Sequence, residues 1–250
     1  MVIVRACLRE GTGGSPTAVL LDAPMSEAER RQVPVRLGTS HAVFVAEHDD
    51  LVSLRFFTST GELAACGHGT IAALAFLADR AASSDYRVTL RTAKRTFSGW
   101  VDHDTAFFDP GPIDLREPTD AQRDLVLPTL DIDPDPGIRV ASPGRPRLLV
   151  PVGSRSALAA LEPDFARLAA ACDRAGLLGC YVYSGSADRF AARMFAPAIG
   201  VPEDIANANS TACLAAHLGR RITVDMGDSL GHPATIIAGP RQLGGVAEIG

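Results

Sequence analysis

Arg55-Phe56-Phe57-Thr58-Ser59-Thr60-Gly61-Glu62-Leu63-Ala64-Ala65-Cys66-Gly67-His68-Gly69-Thr70-Ile71-Ala72-Ala73-Leu74-Ala75-Phe76-Leu77 passes from a strand through a tight polar turn into an apolar helix with no spacer. Leu54, Phe56 and Phe57 have the bulk of a buried strand. Ile71 to Leu77 is too uniformly apolar for a surface helix, so the helix is expected in the core. Its first turn aims unpaired N–H groups, with the positive end of the helix dipole, at the Cys66-Gly67-His68-Gly69-Thr70 turn. Gly67 and Gly69 leave room there for a small carboxylate to approach the backbone.

The chain carries the unit twice. Arg193-Met194-Phe195-Ala196 matches Arg55-Phe56-Phe57-Thr58, and Ser210 to Leu218 matches Gly69 to Leu77, with a longer turn in the second copy. Two facing units would set two helix N-termini across one cleft and could hold an anion between them. Any two strand-turn-helix units share some of this likeness, so the repeat alone leaves both readings open.

The chain has 250 residues, enough for one large domain or two ordinary ones, and the repeat favours two. The net charge of −5, with both signs dispersed, offers no basic surface for nucleic acid and no polybasic run for a membrane. The first residues lack a continuous apolar core and no segment has the length of a membrane span, so a cytoplasmic location is expected. Five cysteines, Cys7, Cys66, Cys172, Cys180 and Cys213, show neither paired nor zinc-like spacing, and reduced thiols without a structural metal are expected.

In chain order, strands at Val2–Val4 and Thr17–Leu21 flank a glycine-rich loop ending in Ser15-Pro16. Ser26 and Glu29 form a capping box opening a polar helix, whose length Pro34 should limit. Ser40-His41 leads into a buried strand at Ala42–Val45. Asp109 to Gly137, rich in proline and aspartate, reads as the crossover between halves, with a boundary near Pro112. That gives domains at 1–112 and 113–250.

Phe56 to Thr70 and Arg193 to Asp204 resemble the two signature segments of the phenazine-biosynthesis isomerase (PhzF-like) family. Gly14-Ser15-Pro16 resembles that family's Gly-Asn-Pro, and Gly231-His232-Pro233-Ala234 its closing Gly-Arg-Pro-Ser. The resemblance implies an α+β, diaminopimelate-epimerase-like fold: two pseudo-symmetric domains, each a curled, mostly antiparallel sheet around a central helix. It also implies cofactor-free isomerase chemistry in the interdomain cleft and a homodimer. A carboxylic acid pair there takes a proton from one carbon and helps return it to another; related epimerases use two cysteines. This sequence departs from the pattern twice. His41 stands where the family has its usual glutamate, and Asn207-Ala208-Asn209 replaces the Thr-Gly-Ser anion turn.

His41, Asp204 and His68 are therefore the candidate catalytic residues. A neutral imidazole at His41 could remove a proton, with activity falling below an apparent pKa near about 6.5. Strand-end bonding, helix capping and turn closure are their respective plain structural roles. Ser40, Gly67, Gly69, Ser15, Asn207, Asn209 and Cys66 are candidate substrate contacts. Cys66 sits in a racemase-like Cys-Gly-His-Gly setting, but a two-thiol racemase needs a facing thiol, and Cys213 lies too far along its helix. Glu62 reads as structural. The expected function is proton movement and double-bond migration on a small carboxylated metabolite of specialised metabolism, without metal or organic cofactor. A two-thiol racemase or a non-catalytic binder is the alternative.

Overall fold

The computed structural model describes residues 1–49 and 51–250. The first half runs β1 (Val2–Leu8), β2 (Ser15–Leu21), α1 (Glu27–Leu37), β3 (His41–His48), β4 (Leu51–Phe57), β5 (Glu62–Leu63), α2 (Gly67–Arg80), β6 (Asp85–Arg91), β7 (Thr96–Asp102) and β8 (Thr105–Phe108). After β9 (Asp114–Arg116) and α3 (Asp120–Val126), the second half runs β10 (Arg139–Ser142), β11 (Arg147–Pro151), α4 (Arg155–Ala159), α5 (Phe165–Ala175), β12 (Cys180–Ser186), β13 (Arg189–Ala196), β14 (Val201–Asp204), α6 (Ala208–Leu218), β15 (Ile222–Met226), β16 (Ala234–Gly239) and β17 (Gln242–Ile249).

The two halves repeat one wiring. β2 runs parallel to β3, β3 antiparallel to β4, and β4 both antiparallel to β5 and parallel to β6. In the same order β11 is parallel to β12, β12 antiparallel to β13, and β13 antiparallel to β14 and parallel to β15. The apolar helix α2 follows β5 as α6 follows β14, so the internal match in the sequence is a match of topology. Arg55–Glu62 and Arg193–Glu203 are equivalent two-pronged ion pairs bracing the two turns. Glu62 thus has the structural role expected of it.

The sheets join because β17 pairs with β8 and β1, and β9 with β10. Gly244 permits that closure: a Cβ there would stand 2.3 Å from the Ala106 carbonyl oxygen. Inside, Gly67 to Leu74 and Phe76 to Ala78 of α2 are buried, as are Ala208 and Ser210 to Ala215 of α6. Both helices are rich in Ala, whose small side chains let curled strands close around them. The architecture is the mixed α+β one expected. α1 differs in length, continuing through Pro34 to Leu37. The Pro34 carbonyl accepts the Gly38 and Thr39 N–H groups, and Gly38, at φ 65°, caps the helix. The proline ring is thus accommodated near the end of the helix instead of stopping it.

Candidate active site

Ser40 and His41 follow the left-handed cap of α1, and His41 opens β3 beside Thr17 of β2. Cys66 is the N-cap of α2 and His68 its second residue. The N-terminus of α2 therefore abuts the start of β3, and the three side chains meet there at 5%, 3% and 5% exposure for His41, His68 and Cys66. The imidazoles stand edge to face, their centroids 4.4 Å apart and their planes at 80°.

Hydrogen bonds order the pair. His68 Nδ1 lies 3.1 Å from the carbonyl oxygen of Ala206, which only accepts, so Nδ1 carries a proton. Its Nε2 faces His41 Nδ1 at 3.0 Å and Cys66 Sγ at 3.5 Å. Ser40 Oγ is 2.8 Å from the same His41 nitrogen. His41 Nε2 makes no hydrogen bond among the described residues and is not one of the fully buried unpaired atoms; it is the ring atom open to a ligand.

Electrostatics divides the two rings. Burial and the neighbouring His68 charge push the His41 pKa down to about 3, against a smaller upward pull from Asp204. For His68 burial also acts downward, but Cys66, Asp204 and the Ala206 carbonyl outweigh it and raise the pKa to about 9. A proton shared by the pair thus rests on His68, with His41 neutral. The titration near about 6.5 expected of His41 from its sequence is therefore moved far downward: burial and the second histidine outweigh Asp204.

The second half contributes Asp204 and the N-terminus of α6. Asp204 accepts the Ala206 N–H at 3.3 Å and the Asn207 Nδ2 at 2.8 Å. Asn207 caps α6 through the Ser210 N–H at 2.9 Å. The helix N-termini press together at Gly67, where a Cβ would lie 2.6 Å from Ala208 Cβ and 3.1 Å from Asn209 Oδ1. Gly69 serves packing, since a Cβ there would meet Cys66 Sγ and Val43 at 3.0 Å. Ser15 begins β2, two residues before the Thr17–His41 pair, with its Oγ buried and without a hydrogen-bond partner among the described residues. Two surface cavities, of about 530 and 810 Å³, have none of these groups in their lining; the smaller is lined by Glu203, next to Asp204, with Phe165 and Leu230, and the larger by residues such as Asp131 and Arg167.

Three features escaped the sequence. The Ala206 carbonyl is a backbone group without a side-chain signal. The His41–His68 contact joins residues 27 apart whose types carry no pairing pattern. Cys7, at a bulge between Ala6 and Leu8 with φ 65°, lies within electrostatic reach of Cys66 and Asp204. Its burial holds it as a neutral thiol, well above the usual thiol range, so it is not poised as a base. Cys213 is sealed in the core and pushed up to about 11 by burial. The position in α6 equivalent to Cys66 is the cap residue Asn207.

His41, Cys66 and His68 also offer metal-ligating atoms within 4.8 Å of one another.

A family model described as phenazine biosynthesis-like protein matches residues 6–238. The chain is 30% identical over 251 residues to the trans-2,3-dihydro-3-hydroxyanthranilate isomerase of Pseudomonas fluorescens, covering 95% of this chain and 84% of that one. Among solved structures it resembles a predicted epimerase from Pseudomonas aeruginosa, with a TM-score of 0.85, 21% identity and coverage of 99% and 95%. A probable proline racemase from Agrobacterium radiobacter K84 gives a TM-score of 0.64 at 12% identity, with coverage of 99% and 89%. The last two likenesses concern the fold and bear out the epimerase-like architecture.

Proposed function

We propose, for a chain that belongs to the phenazine biosynthesis-like protein family, that it is an isomerase moving a proton, and with it a double bond, on a small carboxylated metabolite. The observation that carries the reading is the buried line Ala206 carbonyl, His68, His41, which leaves His41 Nε2 free; the raised pKa of His68 and the lowered pKa of His41 put the shared proton on the far ring. With His68 protonated, its Nε2–H donates to His41 Nδ1, so neutral His41 carries its own proton on Nε2. His41 Nε2–H then protonates one substrate carbon while the His68 proton crosses to His41 Nδ1. The pair acts as a general acid with the proton affinity of His68 behind it. Asp204 takes the proton from the other carbon, and solvent resets both groups. The first-turn N–H groups of α2 and α6, with Ser15, Ser40, Cys66, Asn207 and Asn209, form the surroundings of the substrate carboxylate, whereas Gly67 and Gly69, expected to give it room, are filled by packing against α6 and against Cys66 and Val43.

On this reading the two domains are 1–112 and 113–250, with β17 of the second closing on the first. The protein works in the cytoplasm as a homodimer, in specialised metabolism, and needs no organic cofactor for the proton shift. The relative from Pseudomonas fluorescens supplies the first compound to try, trans-2,3-dihydro-3-hydroxyanthranilate, beside other unsaturated amino and imino acids. Incubation in deuterated water, with a chelator present, tests the reading. Deuterium should enter the carbon that receives the proton. A protein that binds such a compound and leaves every carbon unlabelled is a binder, and the isomerase reading falls.

A further inference from the structure

The His41, His68 and Cys66 cluster has a second chemistry that does not depend on the isomerase reading. We propose that these three residues form a binding site for one soft-to-borderline divalent cation of the zinc type, held by His41 Nδ1, His68 Nε2 and Cys66 Sγ.

The geometry is close to what such an ion requires. With zinc–nitrogen bonds of about 2.0–2.1 Å and a zinc–sulfur bond of about 2.3 Å, a tetrahedral site has edges of about 3.3 Å between nitrogens and about 3.6 Å between nitrogen and sulfur. The corresponding separations are 3.0 Å from His68 Nε2 to His41 Nδ1 and 3.5 Å from His68 Nε2 to Cys66 Sγ. The third separation, between Cys66 Sγ and the His41 ring, is at most 4.8 Å, so the site forms if that edge closes by no more than about 1.2 Å.

The orientation is set as well. A ligating imidazole usually donates its other N–H to a carbonyl or carboxylate, which fixes the tautomer and the ring. His68 does so through Nδ1 and the Ala206 carbonyl at 3.1 Å, leaving Nε2 as the donor atom. Two imidazoles and one thiolate favour zinc and cobalt over magnesium or calcium, which prefer oxygen. Three protein ligands leave the fourth place open, and Ser40 Oγ gives up its bond to His41 Nδ1 when the ion enters.

The ion uses the lone pairs between which the shared proton moves. It replaces that proton, releasing it to solvent, and binds Cys66 as the thiolate, and so excludes proton transfer while bound. Nothing in the sequence spacing announces such a site, because its ligands come from the start of β3 and the first turn of α2.

Titration of the metal-free, full-length protein with Co²⁺ tests the assignment. One equivalent per chain should produce a thiolate-to-cobalt charge-transfer band and the visible bands of a tetrahedral ion, and Zn²⁺ should displace it. Cys66→Ser should abolish the charge-transfer band. His41→Gln should weaken binding at least about tenfold, since even outer hydrogen-bonding partners of ligands are worth 10- to 100-fold. Circular dichroism checks that each variant is folded. A folded wild-type protein that gives no band, or a band that persists in Cys66→Ser, overturns the proposal. The deuterium experiment runs in chelator, so either reading can fail while the other stands.

Discussion

Gly67→Ala tests the closest approach in the candidate site, that of the two helix N-termini. The added Cβ would lie 2.6 Å from Ala208 Cβ, with Asn209 Oδ1 at 3.1 Å and Asn209 N at 3.2 Å. Comfortable carbon–carbon contact is about 3.5–4.0 Å, so α2 and α6 must separate by about 1 Å. Neither helix yields freely, for both are buried in the core. Overpacking of this kind costs about 1–3 kcal/mol, which exceeds the gain of less than about 1 kcal/mol from replacing glycine in a first turn. For a domain of this size the melting temperature should fall by about 2–12 °C. Displacement of reacting groups by about 1 Å can cost about 100-fold in rate, and the turnover of Gly67→Ala should drop toward that limit. Thermal scans and rates of Gly67→Ala, Ala208→Gly and the double variant separate contact from side effects. The double variant should recover about 0.5–3 kcal/mol of the loss through direct coupling. A single variant as stable and as active as the parent would show that these helix ends do not touch in solution, and the arrangement of the site would have to be redrawn.

Two further predictions follow from the charge balance of the pair. With chelator present, the rate should fall as the pH rises through the raised pKa of His68, about 9, because the acid form is lost; no acidic limb should appear near the ordinary histidine value, because His41 is held down to about 3. A limb near about 6.5 that His41→Gln removes would contradict this assignment. Cys66→Ala should keep at least about a tenth of the neutral-pH rate while moving the basic limb downward, since Cys66 helps to raise His68. Cys213→Ala should cost only about 1 kcal/mol of stability, as loss of one packed atom, and leave the rate unchanged. A fall to background in Cys66→Ala would establish a thiol as the base.

Much of the frame was legible because it rests on local patterns. The buried helix α2 announces itself in Ile71 to Leu77, and its repeat in Thr211 to Leu218. The capping box at Ser26 and Glu29 is present with both of its bonds. Pairs such as Arg55–Glu62 explain why a carboxylate beside the turn is structural. The proton pair was only half legible. Each histidine stood out singly, but their contact depends on the start of β3 meeting the first turn of α2, and the Ala206 carbonyl arrives from a segment 138 residues away. Periodicity has no access to such distances. The sign of the His41 shift was equally hidden, because it depends on burial and on a second positive group.

The doubled wiring also bears on why the two halves could hold different chemistries. Registering β3–β4 on β12–β13 makes His41 equivalent to Gly179, Cys66 to Asn207, His68 to Asn209 and Leu63 to Asp204. At position 179 an added Cβ would stand 2.0 Å from the Phe195 carbonyl oxygen, so the second half cannot display a side chain where the first has its imidazole. Position 207 is committed to capping α6 and to holding Asp204. The imidazoles and the thiol therefore belong to one half, and the carboxylate to the other. A two-thiol racemase needs like groups at equivalent places on both helices. At these positions the equivalence survives in the backbone alone, and it is on this difference that the proposed acid–base division of labour rests.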